Sequence, residues 1–247
     1  MNSPDFSLDD IKFFIDEPTF KRAVVLYKAG KVLHVKEGIR SYSGVVEGTK
    51  QYRVSVEARN FRYSHCECYL GERDILCKHS IALALYVVKD SAPLTQEDLK
   101  FYSLPVCSAD TRGFAEGEKQ QLQSSITKAK KYISPYSGPS SAWFHYQDRL
   151  SQGCARLSKA LSLMPINTES TDMIIKLLIS LDKKLCSDGV DDSNGVVGGF
   201  MEDAVAMLLD FTSCESNLAL RFKKLEKIST CFDWDKPLIE KLHQLNS

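Results

Sequence analysis

Cys66, Cys68, Cys77 and His79, all in the stretch HCECYLGERDILCKH, have the types and spacing to grip one metal ion. They form two pairs, Cys-x-Cys and Cys-x-His, separated by eight residues. In extended backbone, residues i and i+2 project to the same side, so each pair can reach one ion without a long loop. Three thiolates and an imidazole suit zinc, and a structural zinc site closes all four positions of a tetrahedron with such ligands. Gly71 lets the intervening loop fold back. Two other readings stay open: separate buried thiols beside a surface histidine, or His65 as the fourth ligand in place of His79.

Other chemistry finds less support. His65-x-Glu67 imitates half of a zinc deaminase signature, but the Pro-Cys-x-x-Cys that should follow is absent. The acidic, glycine-rich loop SDGVDDSNGVVGG does not fit an EF-hand, because Val190 falls at the first ligand position. Asp191 to Asn194 are expected instead to end one helix and cap the next. No phosphate-binding Gly-x-x-x-x-Gly-Lys loop or Gly-x-Ser-x-Gly elbow occurs, so a non-catalytic protein is expected, with no apparent small-molecule substrate.

The ligand pairs need elements to hold them. Ser7 with Asp10 marks a capping box for a helix through Ile15, and a second helix is expected from about Thr19 to Gly30. The period then changes to two: Val32 to Val35, Ile39 to Val46 and Gln51 to Val56 read as strands, with a hairpin turn at Gly48-Thr49. Phe61 and Tyr63 continue the alternation toward the cysteines, and SIALALYVVK after His79 reads as an apolar helix. The expected order is antiparallel sheet, metal knuckle, helix.

From Pro93 onward the pattern is helical, broken at Pro93, Pro135, Pro139, Pro165 and Pro237. Trp143, Tyr146, Leu150, Cys154, Leu157, Leu161 and Met164 recur every three or four residues and should line one buried helix face. Ile174, Leu177, Leu181 and Leu185 repeat the pattern, and Phe200 to Phe211 and Leu218 to Ile228 supply two more helices. The fold class is α+β: a zinc-knuckle module over residues 1–90, then an all-α bundle or short solenoid over 91–247, with a linker at about 91–113.

Composition sets the context. The chain has 247 residues with formal net charge zero, so it is not uniformly basic. Between Lys21 and Arg62, however, ten Lys or Arg stand against three acids. Lys50, Arg53, Arg59, Arg62 and Lys78 are the candidate phosphate contacts. The longest apolar run, Ile81 to Val88, is too short to cross a bilayer, and no signal region follows the acidic start. A soluble, cytoplasmic protein with reduced thiols is expected, and Cys107, Cys154, Cys186, Cys214 and Cys231 read as core residues.

The knuckle resembles a known family. Cys-x-Cys, a short loop and Cys-Lys-His leading an apolar helix, after a hairpin ending in Tyr52-x-Val54-x-Val56, is similar to the SWIM zinc finger over roughly residues 20 to 90. One departure is Tyr69, where a proline often follows the second cysteine. Beyond residue 90 the chain is loosely similar to the helical tails of small bacterial SWIM proteins, at Trp143-Phe144 and at Asp191 to Gly195. The resemblance implies a ββα arrangement with no catalysis of its own, and a nucleic-acid-binding or protein-interaction role of the kind found in helicase-associated proteins, transposases and recombination factors. The partner is then nucleic acid, or a protein such as a helicase or nuclease.

Overall fold

The structure, a computed structural model, describes residues 3–245. The chain divides into two compact units, one ending at Phe101 and the other beginning at Tyr102. That division falls inside the stretch 91–113 expected to link them.

The first unit begins with α1 (Leu8–Phe14), whose capping box pairs Ser7 with Asp10. Next comes α2 (Glu17–Lys28), which starts two residues before the expected Thr19 because the Asp16 side chain accepts from the Thr19 N–H and Pro18 fits the first turn. Strands β1 (Val32–Glu37), β2 (Ser41–Glu47), β3 (Gln51–Glu57) and β4 (Ser64–Cys66) form an antiparallel meander in that order. Register pairs Val46 with Tyr52, Tyr42 with Val56 and Val54 with Cys66. These six residues are buried, so one face of the sheet is a continuous apolar surface that ends on the first metal-ligand candidate.

Helix α3 (Lys78–Lys89) packs on that surface. Ile81 to Leu85 are all fully buried, which one amphipathic face cannot explain. The sheet covers one side of the helix, and α1 and α2 cover others. A short helix, α4 (Gln96–Leu99), is tied back by the Lys12 ammonium, which donates to the carbonyls of Lys100 at 2.7 Å and Asp98 at 3.3 Å.

The alternation expected through Phe61 and Tyr63 does not continue as strand. Residues 58–63 are a turn: Phe61 drops into the core beside the rings of Phe6 and Phe14, at 5.4 and 5.9 Å, and Tyr63 is exposed.

The second unit is helical: α5 (Glu118–Lys130), α6 (Trp143–Ser162), α7 (Thr168–Cys186), α8 (Val196–Cys214) and α9 (Lys236–Leu245). The expected stripe on α6 is buried from Tyr146 to Leu161, while Trp143 is half-buried. Asp192 caps α8, accepting from the Val197 and Gly198 N–H groups at 2.9 and 2.8 Å. Ser216–Lys227 is a 3₁₀ helix rather than the α-helix expected there. Leu218, Phe222 and Leu225 are buried by packing against neighbouring helices, and spacings of three and four suit either helix type.

The scattered cysteines correct an expectation. Cys154 is a core thiol, and burial pushes its pKa up to about 12. Cys107 is half-buried and Cys214 exposed. Cys186 and Cys231 are exposed and joined in a disulfide, so they are neither reduced nor core residues. Asp182, one turn before Cys186 on α7, accepts from the Cys231 N–H at 3.1 Å and the Trp234 indole N–H at 3.0 Å. Those two bonds bring the Cys231 segment against the end of α7.

Candidate metal centre

Cys66 closes β4, Cys68 follows two residues on, Cys77 is the N-cap of α3, and His79 lies in its first turn. All four are buried, and their donor atoms lie within 4.8 Å of one another. The group could hold a metal ion. His79 turns Nδ1 toward the sulfurs of Cys66 and Cys77, at 3.8 Å from each. Zinc bonds of about 2.3 Å to sulfur and about 2.0 Å to nitrogen put tetrahedral ligand atoms roughly 3.5–3.8 Å apart, so the spacing fits that ion.

Local structure aims each donor. Gly71 permits the return of the knuckle: a Cβ there would stand 2.1 Å from the Cys66 carbonyl oxygen. Its N–H donates to the Cys68 sulfur at 3.4 Å. Because Cys77 caps α3, its sulfur faces the helix N-terminus and accepts from the Ser80 N–H at 3.5 Å. These N–H groups and the helix dipole favour sulfur as thiolate. Cys66 and Cys77 compete for a proton. The hydrogen bond from Cys66 holds the Cys77 thiol well below its usual range, while that same contact, with burial, pushes the Cys66 thiol up. A shared dication is what would let both ionise.

On its other side, the His79 ring stacks on Tyr52. Its Nε2 is buried without a hydrogen-bond partner, and a Cβ at Gly48 would stand 2.7 Å from it. His65 is exposed and does not belong to the group of four.

The candidate phosphate contacts do not form one patch. Lys50, in the β2–β3 turn, has its ammonium 5.5 Å from the Tyr52 ring centroid, and half-buried Lys78 adjoins His79, so both lie at the metal end. Arg53 is exposed midway, with its backbone N–H bound to the Glu67 carboxylate at 3.1 Å. Arg59 and Arg62 are exposed in the β3–β4 turn at the far end, with Arg62 lying 4.2 Å over the Phe14 ring. Seven residues of β3 separate the two ends, roughly 20 Å. Exposed Glu57 and Glu67 intervene.

Sequence reasoning passed over the knuckle tip. Tyr69 is 69% exposed, Ile75 51% and Leu70 39%, and the Arg73 guanidinium lies 3.7 Å over the Tyr69 ring. The available signal was four large apolar residues, Tyr69, Leu70, Ile75 and Leu76, in an eight-residue loop whose middle is Gly71 and three charged residues.

A second group with metal-ligand chemistry, Asp182 with Cys186 and Cys231, has its two sulfurs joined in the disulfide. Among the described residues no helix is long and apolar enough to cross a membrane. Comparison with known proteins returns no match: no family model, curated protein or solved structure is significantly similar to this chain.

Proposed function

We propose that this chain is a zinc-structured, non-catalytic binding module of the SWIM kind, acting in the cytoplasm. The observation that carries the reading is the closed set of four buried donors at and just after the end of β4 and at the start of α3. Bound there, zinc would supply a cross-link between sheet and helix and leave no position for a reacting water. The chain's own residues then present what the cross-link holds still. The strand–knuckle–helix order supports the SWIM likeness, and the free thiols of the cluster suit metal ligation, whereas the Cys186–Cys231 disulfide lends the cytoplasmic reading no support.

A protein partner, such as the helicase the resemblance implies, is the better supported occupant. Tyr69, Leu70 and Ile75 are exposed on a loop whose two ends carry the ligand pairs, so apolar contact area is offered on a fixed support. Nucleic acid is the second reading, favoured by Arg59 and Arg62, exposed within the basic stretch.

One experiment separates them. Binding to single- and double-stranded DNA and RNA is measured from low to moderate salt, for the natural chain, Arg59→Ala/Arg62→Ala and Tyr69→Ser/Ile75→Ser. In parallel, a photo-cross-linker at position 75 traps contacts in cells. The docking reading expects one protein adduct that disappears with Cys66→Ser, and no salt-sensitive nucleic-acid binding. Binding whose log–log salt slope drops by roughly 1–2 in the arginine variant would replace it with the second reading.

A further inference from the structure

Within the second unit, α8 and the chain before and after it surround a cavity of about 680 Å³. Its walls include Leu185 from α7, Met201, Val205 and Leu209 from α8, and the rings of Phe232 and Trp234. Leu185 and Phe232 adjoin Cys186 and Cys231, so the disulfide ties together two segments of wall. That volume is in the range of pockets that enclose small organic molecules, which likewise combine apolar walls with a few polar groups.

The charged groups in the lining are all acidic: Asp191, Asp192, Glu202 and Asp233, with no Lys, Arg or His among the described lining residues. They do not behave alike. Asp192 is occupied in capping α8, and Asp233 pairs with Lys236 at 2.7 Å. Asp191 accepts from Ser193 and from the Trp143 indole at 3.0 Å, and these bonds hold its carboxyl below the usual carboxylate range. Glu202 is exposed and has no partner among the described residues.

This distribution discriminates between ligands. An anion would meet only like charge among the lining side chains, and the nearby Lys236 ammonium is already paired with Asp233. A bare metal ion needs several converging oxygens, and among the described residues no three of these carboxylates bring oxygens within 4.8 Å of one another. A wholly apolar molecule would cover acidic groups without replacing their water. A cation with an apolar body satisfies both parts, because its charge gains from the rim carboxylates and from neighbouring aromatic rings.

We propose that this cavity binds a small organic amine, burying its alkyl or aromatic body against α8 and the Phe232–Trp234 segment with its ammonium at the Glu202 rim. The stretch Asp191 to Asn194, expected from the sequence to end one helix and cap the next, then also contributes Asp191, Asp192 and Ser193 to an acidic wall.

The test uses the full chain and three probes sharing one body: 4-phenylbutylamine, 4-phenylbutanol and 4-phenylbutyrate. Both tryptophans report on the site, since Trp234 lines it and Trp143 is bonded to Asp191, so intrinsic fluorescence is a direct readout. The amine should saturate a spectral change, with the alcohol and the carboxylate each at least about threefold weaker. Glu202→Gln, on the exposed side of α8, should weaken the amine by about three- to tenfold and leave the alcohol unchanged. Ala206→Trp, also exposed on α8, should fill the space and remove binding of all three while the helical circular dichroism persists. Equal binding of amine and carboxylate, an amine response indifferent to both variants, or no saturable response to the amine at millimolar concentration overturns the proposal. Binding of a lysine-rich peptide without binding of the free amine overturns it too, and assigns the rim to a protein partner.

Discussion

The Tyr52 ring stacks on the His79 imidazole, with centroids 4.4 Å apart and planes 28° from parallel. Tyr52 is in β3 and His79 in α3, so the stack ties the sheet to the same helix that the metal would tie to the end of β4. With Nε2 lacking a hydrogen-bond partner, the ring's orientation rests on this contact and on the closeness of Gly48. Metal-bound histidines are usually oriented by a hydrogen bond at the second nitrogen, and losing such support costs about 10–100-fold in metal affinity. Tyr52→Leu keeps an apolar side chain there but removes the stacked ring. It is expected to lower zinc affinity by about tenfold in a chelator competition, at unchanged stoichiometry.

Gly71 makes a sharper test, because the conflict is with backbone. An alanine Cβ 2.1 Å from the Cys66 carbonyl oxygen and 2.6 Å from the Cys66 Cβ cannot be relieved by a side-chain rotation. The knuckle would have to open, separating Cys66 and Cys68 from Cys77 and His79. Gly71→Ala should cost the first unit about 3 kcal/mol or more and reduce bound zinc well below one ion per chain. Elemental analysis with thermal unfolding reads both. Full zinc content and natural stability in this variant would mean that the loop does not position the ligands.

What the sequence disclosed was local. The two ligand pairs, the Ser7–Asp10 box and the alternation of Tyr52, Val54 and Val56 involve residues within four positions, where backbone geometry alone decides which side chains meet. What it withheld was non-local. Phe61 leaves the strand pattern because Phe6 and Phe14, some fifty residues earlier, provide its pocket. The Cys186–Cys231 contact depends on Asp182 capturing a segment far along the chain. The acidic cavity joins α7, the 190–193 loop, α8 and the 232–237 segment, none of which has a distinctive pattern by itself. The candidate cations of the basic stretch separate in space, since strand rise carries Lys50 to one end of β3 and Arg59 and Arg62 to the other, with Arg53 between them.

An acid-sensitive contact marks the start of the second unit. The Arg112 guanidinium grips Glu118 through both carboxylate oxygens, at 2.6 and 2.7 Å, and the Ala115 N–H adds a bond at 2.8 Å. Arg112 chiefly, with Ala115, lowers the Glu118 pKa from about 4.5 to about 2. The folded state therefore binds this proton less readily than the unfolded chain. Its stabilisation is complete above pH 4.5 and fades as pH falls toward 2. Glu118→Gln should lower Tm by about 1–3 °C at pH 7, a modest amount because the pair is partly exposed, with the difference vanishing near pH 2.

The disulfide supplies the last prediction, and it can be checked by counting. The chain has eight cysteines, six of them free in the structure, so denaturation without reductant should expose six reactive thiols, and eight after reduction. The bond spans a sequence separation of 45 residues, and closing a loop of that size restricts the unfolded chain enough to stabilise the second unit by about 2–4 kcal/mol. Cys231→Ser should therefore lower that unit's stability by about this amount under oxidising conditions and by much less in reductant, where the natural chain has lost the same cross-link. The Asp182 bonds to the Cys231 N–H and the Trp234 indole do not involve sulfur, so they should keep the segment near α7 in the variant. Eight reactive thiols before reduction would show that the two sulfurs meet without bonding, and the stability difference should then be absent in both conditions.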